Sequence, residues 1–346
     1  MLAYAVPNFS EGRDALVISG IADALRLGGA SVLHVDSNPD AHRTVITVAG
    51  ELEVLCQSLF LGIAQAQRSI DMRQHTGEHI RIGASDVVPV IALESGDVRP
   101  AVTRLAERAA EDLGVPVFLY EDSARRPPFA SLPRCRRGGY EALQSRFGRA
   151  DDGPDLGPRS WSPSVARSGA TAVGARDVLV AMNFTLGTSN RVLAEQIALA
   201  IRSNGPAGRP DRCERLRAVG WVMAGYEGRA QVSVNLLDPR LTPAHEVLRT
   251  IRRLAGPVPV LGAELIGLTP ARVLIGAALH EQGLAQESWP AEQVLDGPAS
   301  SREDLLLLGG QVLGLSHLSR AQGMGRREVL ARVLEWQLGE VGLLPG

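Results

Sequence analysis

The sequence predicts an α/β chain of α+β type: two βαββαβ subdomains, each with helices on one face of a mainly antiparallel sheet, leaving a ligand cleft between them. Three observations lead there. One order of apolar patterns, β-α-β-β-α-β-α, runs twice along the chain, and the strand-like runs are short and rich in β-branched residues. At 346 residues the chain also exceeds the usual size of a single domain.

In the first half, the apolar run Leu2 to Val6 is stopped by Pro7 and Asn8, and a helical pattern follows from Asp14 to Leu27, closed by Gly28 and Gly29. Ser31 to Asp36 and Arg43 to Val48 alternate as paired strands. Leu52 to Ile70 is spaced as a helix, Val87 to Leu93 as a strand, Val98 to Leu113 as a helix and Val115 to Tyr120 as a strand. Arg125 to Arg167 then crowds prolines, glycines and arginines and reads as a linker or wrapping loop, with Arg125 to Arg137 as a local basic patch.

The second half repeats the order. Strands are expected over Val178 to Phe184, Arg215 to Met223, Ala230 to Leu236 and Val258 to Ile266, with helices over Ser189 to Arg202, Pro243 to Leu254 and Pro270 to Gln282. This order is ferredoxin-like in both halves, which sets subdomain boundaries at 1–174 and 175–286 and leaves a helical extension over 287–346. Gly325 to Val341 within it has the spacing of an amphipathic helix, and its apolar character favours a homodimer.

Apolar residues make up 45% and charged residues 21%, a globular composition that excludes a disordered or fibrous chain. A net charge of -2 supplies no global field for nucleic acid or an anionic membrane. The residues MLAYAVPNFSEGRD lack a basic segment followed by a long apolar run, and no stretch of about 18 apolar residues occurs, so a soluble chain is expected. Three dispersed cysteines, Cys56, Cys135 and Cys213, fit neither a disulfide framework nor a zinc knuckle, so a cytoplasmic location is expected.

Reactive side chains concentrate in His75 to Asp86, HTGEHIRIGASD, where two imidazoles, two carboxylates and a guanidinium surround Gly77 and Gly83. Those glycines allow a turn or the close approach of a ligand. His75, Glu78 and His79 spell the H-x-x-E-H pattern of inverted zinc peptidases, which requires both imidazoles one turn apart on a helix. Gly77 in the middle weakens such a helix by about 1 kcal/mol, and a third ligand is lacking. Metal-free proton transfer by a histidine is the other chemistry open to these residues.

Beyond this loop the chain reads VPNFSEGRD from Val6, VD ending at Asp36, RTV from Arg43, IDM from Ile70 and GEHIRIGASDVVPV from Gly77. It continues with GPDLGP from Gly153, GAR from Gly174, QVSVNLLD from Gln231 and TPAH from Thr242. In this order, over Met1 to about Gln282, these segments resemble the formiminotransferase family.

The resemblance implies transfer of a formimino group from N-formimino-L-glutamate to N5 of tetrahydrofolate, giving 5-formiminotetrahydrofolate and L-glutamate in histidine breakdown. Tetrahydrofolate is then a co-substrate, and no metal is implied. A folate-binding homologue without turnover is the alternative besides the peptidase.

His79, after Gly-Glu, matches the family's base. Arg43 and Arg81 are candidates to hold substrate carboxylates, while Asp36 and Glu78 would orient the base or the amidinium. Asn8, Ser10 and Glu11 fall in the first motif, and Gly83 and Asp86 in the central one; all five are candidate lining residues. Two departures stand out: Ile80 occupies a position usually held by proline, and the segment Asp152 to Pro158 lacks the tryptophan that commonly opens it.

Overall fold

The structure, a computed structural model, describes residues 1–205, 208–223, 227–284, 299–315 and 332–343. The chain divides into two compact units, Met1–Asp177 and Val178–Gly346.

In the first unit Pro7 divides the opening strand into β1 (Leu2–Ala5) and β2 (Asn8–Phe9). Helix α1 (Ala15–Leu27) starts where the Asp14 carboxylate accepts from the amides of Leu16 and Val17, satisfying two of its orphan donors. Strands β3 (Ser31–Asn38) and β4 (Arg43–Glu51) pair antiparallel, and α2 (Leu52–Ser69), β5 (Ser85–Ala92) and α3 (Arg99–Asp112) follow. Each agrees with its sequence pattern to within a few residues.

Two features were not anticipated. The strand β6 (Val117–Leu119) pairs parallel with β7 (Thr171–Ala175), and β7 pairs parallel with β5. Parallel strands need cover on both faces. Helices α1, α2 and α3 bury one face over Ile46, Val48, Val88 and Val90. On the other face Val87, Phe118, Tyr120 and Ala172 meet Phe129, Cys135 and Leu143.

Those last three residues belong to the Pro- and Arg-rich segment, which folds as two short 3₁₀ turns and helices α4 (Leu132–Cys135), α5 (Gly139–Arg146) and α6 (Pro163–Ser168). The expectation of helices on one face is thus corrected for this unit: the β5–β7–β6 end is a three-layer arrangement.

The second unit has the anticipated element order: β8 (Val180–Leu186), α7 (Arg191–Ile201), β9 (Leu216–Val222), β10 (Ala230–Leu236), α8 (Ala244–Ala255), β11 (Val260–Ile266) and α9 (Ala271–Glu281). Its sheet runs β11-β8-β10-β9, antiparallel throughout, with β8 and β10 central.

Helix α10 (Ala299–Val312), within the extension expected to be helical, packs on α9, and Leu306, Leu313 and Leu315 join the core of this unit. The terminal helix α11 is described over Leu334–Glu340; the start of the expected helix, from Gly325, lies outside the described residues. No described helix is long and apolar enough to cross a membrane.

Candidate functional site

The loop after α2 is held by backbone rather than by regular structure. Met72 donates to the Arg167 carbonyl at 2.9 Å and Glu78 to the Asp40 carbonyl at 3.2 Å. A Cβ on Gly77 would lie 2.5 Å from the Ala41 carbonyl oxygen, and one on Gly83 would lie 2.2 Å from that of Ala170. Close approach is therefore what both glycines provide, but the approaching group is the chain's own backbone. Gly83, expected to line a ligand, forms an isolated bridge with Gly169.

Strand alternation brings the polar residues of the neighbouring strands together. Ile46 and Val48 of β4 turn toward the helices. Asn38 lies opposite Arg43, and Asp36 and Asn8 both lie opposite Val45, so these residues share the other face. Asp86, fully buried, accepts from Arg43 Nη1 at 2.6 Å, from Arg136 Nε at 3.3 Å and from Arg136 Nη2, while its Oδ1 also accepts from the Ile82 amide at 2.9 Å.

Asn8 Oδ1 takes the remaining Arg43 contact, from Nε, at 3.0 Å. Burial would raise the Asp86 carboxyl, but the Arg136 and Arg43 guanidiniums outweigh it and hold its pKa at about 2. Burial lowers Arg43 to about 10 against the pull of Asp86, so it stays charged at neutral pH. One carboxylate thus faces two guanidiniums, a surplus of one positive charge.

His79 lies beside this cluster, half-buried. Its Nδ1 is 2.7 Å from the Ile80 carbonyl oxygen, which can only accept, so Nδ1 carries the proton and Nε2 the lone pair of the neutral ring. Burial, reinforced by the charges of Arg43 and Arg136, pushes its pKa down to about 3, and Asp86 opposes this only in part. At neutral pH the imidazole is uncharged.

A second network supports the loop from behind. His42, with φ at 49°, stacks on His75 with ring centroids 4.1 Å apart. Its Nδ1 lies 2.8 Å from the Thr76 carbonyl oxygen and its Nε2 3.1 Å from Glu11. His75 Nδ1 accepts from Arg81 Nε at 2.9 Å, so its Nε2 donates to the His42 carbonyl at 2.9 Å. Both His75 nitrogens are committed and residues 76–80 are not helical, which removes the geometry the zinc peptidase requires.

Arg81, expected to clamp a substrate carboxylate, spends its fork on Glu141 at 2.7 and 3.0 Å. Its Nε holds the His75 ring at 2.9 Å. Glu11 is similarly occupied by the amides of Gly12, Arg13 and Asp14, and Ser10 Oγ donates to the Gly83 carbonyl at 2.7 Å. Glu78 is exposed, and Asp36 lies 3.9 Å from His34 Nε2.

His42, Arg136 and Glu141 were not singled out in the sequence. Arg136 alone had a signal, as one arginine of the basic patch.

Fold and site together define an α/β protein in which a neutral histidine on a backbone-tied loop adjoins a buried, positively charged cluster. Residues 2–176 match the formiminotransferase domain, N-terminal subdomain, and residues 181–287 match the formiminotransferase domain. The chain belongs to the formiminotransferase family.

It is 39% identical over 284 residues to formimidoyltransferase-cyclodeaminase of Rattus norvegicus, covering 80% of this chain and 52% of that protein. It is 38% identical over 284 residues to glutamate formimidoyltransferase of Streptococcus pyogenes, covering 80% of this chain and 92% of that one. The corresponding protein of Thermoplasma acidophilum is 35% identical over 288 residues, 81% of this chain and 91% of its own. The chain therefore spans about half the length of the cyclodeaminase relatives it matches. A periplasmic protease of Escherichia coli aligns with 73% of this chain and 33% of its own at 8% identity and a TM-score of 0.17, too low to relate the folds.

Proposed function

We propose that the chain transfers the formimino group from N-formimino-L-glutamate to N5 of tetrahydrofolate, with His79 relaying the proton. N5 attacks the amidine carbon, and its proton passes to His79 Nε2 as the tetrahedral intermediate forms. The bond from that carbon to the glutamate nitrogen then breaks, and His79 returns the proton to the departing nitrogen. Reactants and products balance without a covalent nucleophile, and holding the two substrates together removes much of the barrier.

The observation that carries this reading is the neutral His79 beside the Arg43–Asp86–Arg136 cluster, with its Nδ1 proton fixed by the Ile80 carbonyl. The surplus charge of Arg43, Asp86 and Arg136 supports a donor carboxylate bound close by. Asn8, which orients Arg43, belongs to the same arrangement, and Asp36 on that face is the residue we assign to the amidinium. The reading also takes the enzyme as a cytoplasmic homodimer, in keeping with free thiols at Cys56, Cys135 and Cys213.

Turnover measured with tetrahydrofolate and formiminoglutamate tests the assignment. His79→Ala lowers the rate about 10²- to 10⁴-fold while folate affinity is retained. Full turnover in the variant removes His79 from the reaction, and tight folate binding by the wild-type chain without product formation overturns the transferase reading itself.

A further inference from the structure

A second group of reactive side chains, which the transfer chemistry does not use, lies within the second unit. The first turn of α8 and the last turn of α9 bring His245, Glu246 and His280 together, with one donor atom of each within 4.8 Å of the others. The two imidazoles stack with ring centroids 4.3 Å apart and planes 21° from parallel. His245 and Glu246 are half-buried and His280 is exposed.

We propose that His245, Glu246 and His280 form a binding site for a divalent transition metal of the zinc class. Two imidazole nitrogens and one carboxylate oxygen match the donor set of a three-ligand zinc site with water as the fourth ligand. Magnesium and calcium are disfavoured because they take oxygen donors almost exclusively.

Ligand atoms at about 2.0–2.2 Å from one ion stand roughly 3.5 Å from each other, so the trio closes by about an ångström on binding. His280 makes that movement at little cost, since it is exposed at a helix end; His245, packed at the start of α8, is the fixed ligand. The carbonyl end of α9, where the Gln282 and Gly283 amides already return to the helix's last carbonyls, adds negative potential.

Arg249 donates to Glu246 Oε2, which orients the carboxylate and leaves Oε1 as the assigned donor. Such a site ties the beginning of α8 to the end of α9, and it stands independently of the transferase reading.

The test uses the full chain, freed of metal by chelation and dialysis, titrated with Zn²⁺ by calorimetry and with Co²⁺ by visible absorption. One ion per chain is expected, with Co²⁺ bands of four- or five-coordinate nitrogen–oxygen ligation. His280→Ala, at an exposed position, and Glu246→Gln, which keeps the side chain's shape, should each weaken binding at least about tenfold, and His79→Ala should not change it. Binding that survives His280→Ala, binding abolished by His79→Ala, or no binding at all overturns the proposal.

Discussion

Asp86→Asn keeps the shape of a fully buried side chain and deletes its charge. In the wild-type chain Oδ2 accepts from Arg43 at 2.6 Å and from Arg136, and Oδ1 accepts from the Ile82 amide at 2.9 Å and Arg136 Nε at 3.3 Å. An amide has one acceptor oxygen, and its NH₂ group would confront guanidinium donors. The cluster charge rises from one surplus positive charge to two. Removing one partner of a buried ion pair costs about 3–5 kcal/mol.

At roughly 2–4 °C per kcal/mol for a unit of this size, the melting temperature falls by about 6–20 °C. The pH dependence has a definite sign. The Asp86 pKa lies at about 2, below the ordinary 3.8, so its contribution is complete above the ordinary value and is lost as pH falls toward 2. Urea unfolding at pH 7 and at pH 2.5 should therefore show a wide gap between wild type and variant that narrows in acid. The double variant Asp86→Asn/Arg136→Gln, which restores a single surplus charge, should recover part of the loss. A loss below about 1 kcal/mol at pH 7, a gap independent of pH, or no recovery in the double variant would refute this account of the cluster.

Arg136→Gln removes one of the two charges that depress His79. Its charge comes after burial and Arg43 among the causes that hold the His79 pKa low, so the acid limb of the kcat/KM profile should move up, by about one pH unit or less at an effective dielectric of about 20. An unmoved limb would separate Arg136 from the histidine. Gly83→Ala places a methyl group 2.2 Å from the Ala170 carbonyl oxygen, where backbone must shift; a loss of about 3 kcal/mol in chemical denaturation is expected, and a change under about 1 kcal/mol would deny the close approach.

What could be read in the sequence follows how local each signal is. The strands alternate, the helices have apolar spacing, and His79 stands out because its neighbours in the chain are themselves reactive. Strand β7, Thr171–Ala175, was missed because TAVGA is short, mostly small and buried throughout, with no alternation to betray it. The covering segment has the sequence character of a loop because its prolines and glycines punctuate short turns rather than forbid them.

Arg136 meets Asp86 across 50 positions and Arg81 meets Glu141 across 60. A single chain gives no signal for pairing at such separations. Which arginine of RRPPFASLPRCRR enters the interior depends on the sheet face that the segment covers, and this emerges only when the fold closes.

That long-range pairing changes the chemistry expected of His79. The sequence offered Asp36 and Glu78 as partners for a base, and a carboxylate beside an imidazole stabilises its charged form. The structure buries the His79 ring and surrounds it with more guanidinium than carboxylate, and both do the opposite. With a pKa of about 3 the free histidine is a weak base, but its conjugate acid is strong, suited to protonating a departing amino-acid nitrogen.

On the proposed reaction, a donor carboxylate seated on the surplus charge would cancel the part of the depression that Arg43 and Arg136 add to that of burial, and raise the imidazole pKa by that part. Basicity would then rise with the donor in place, so the substrate would itself tune the site for the proton transfer it undergoes.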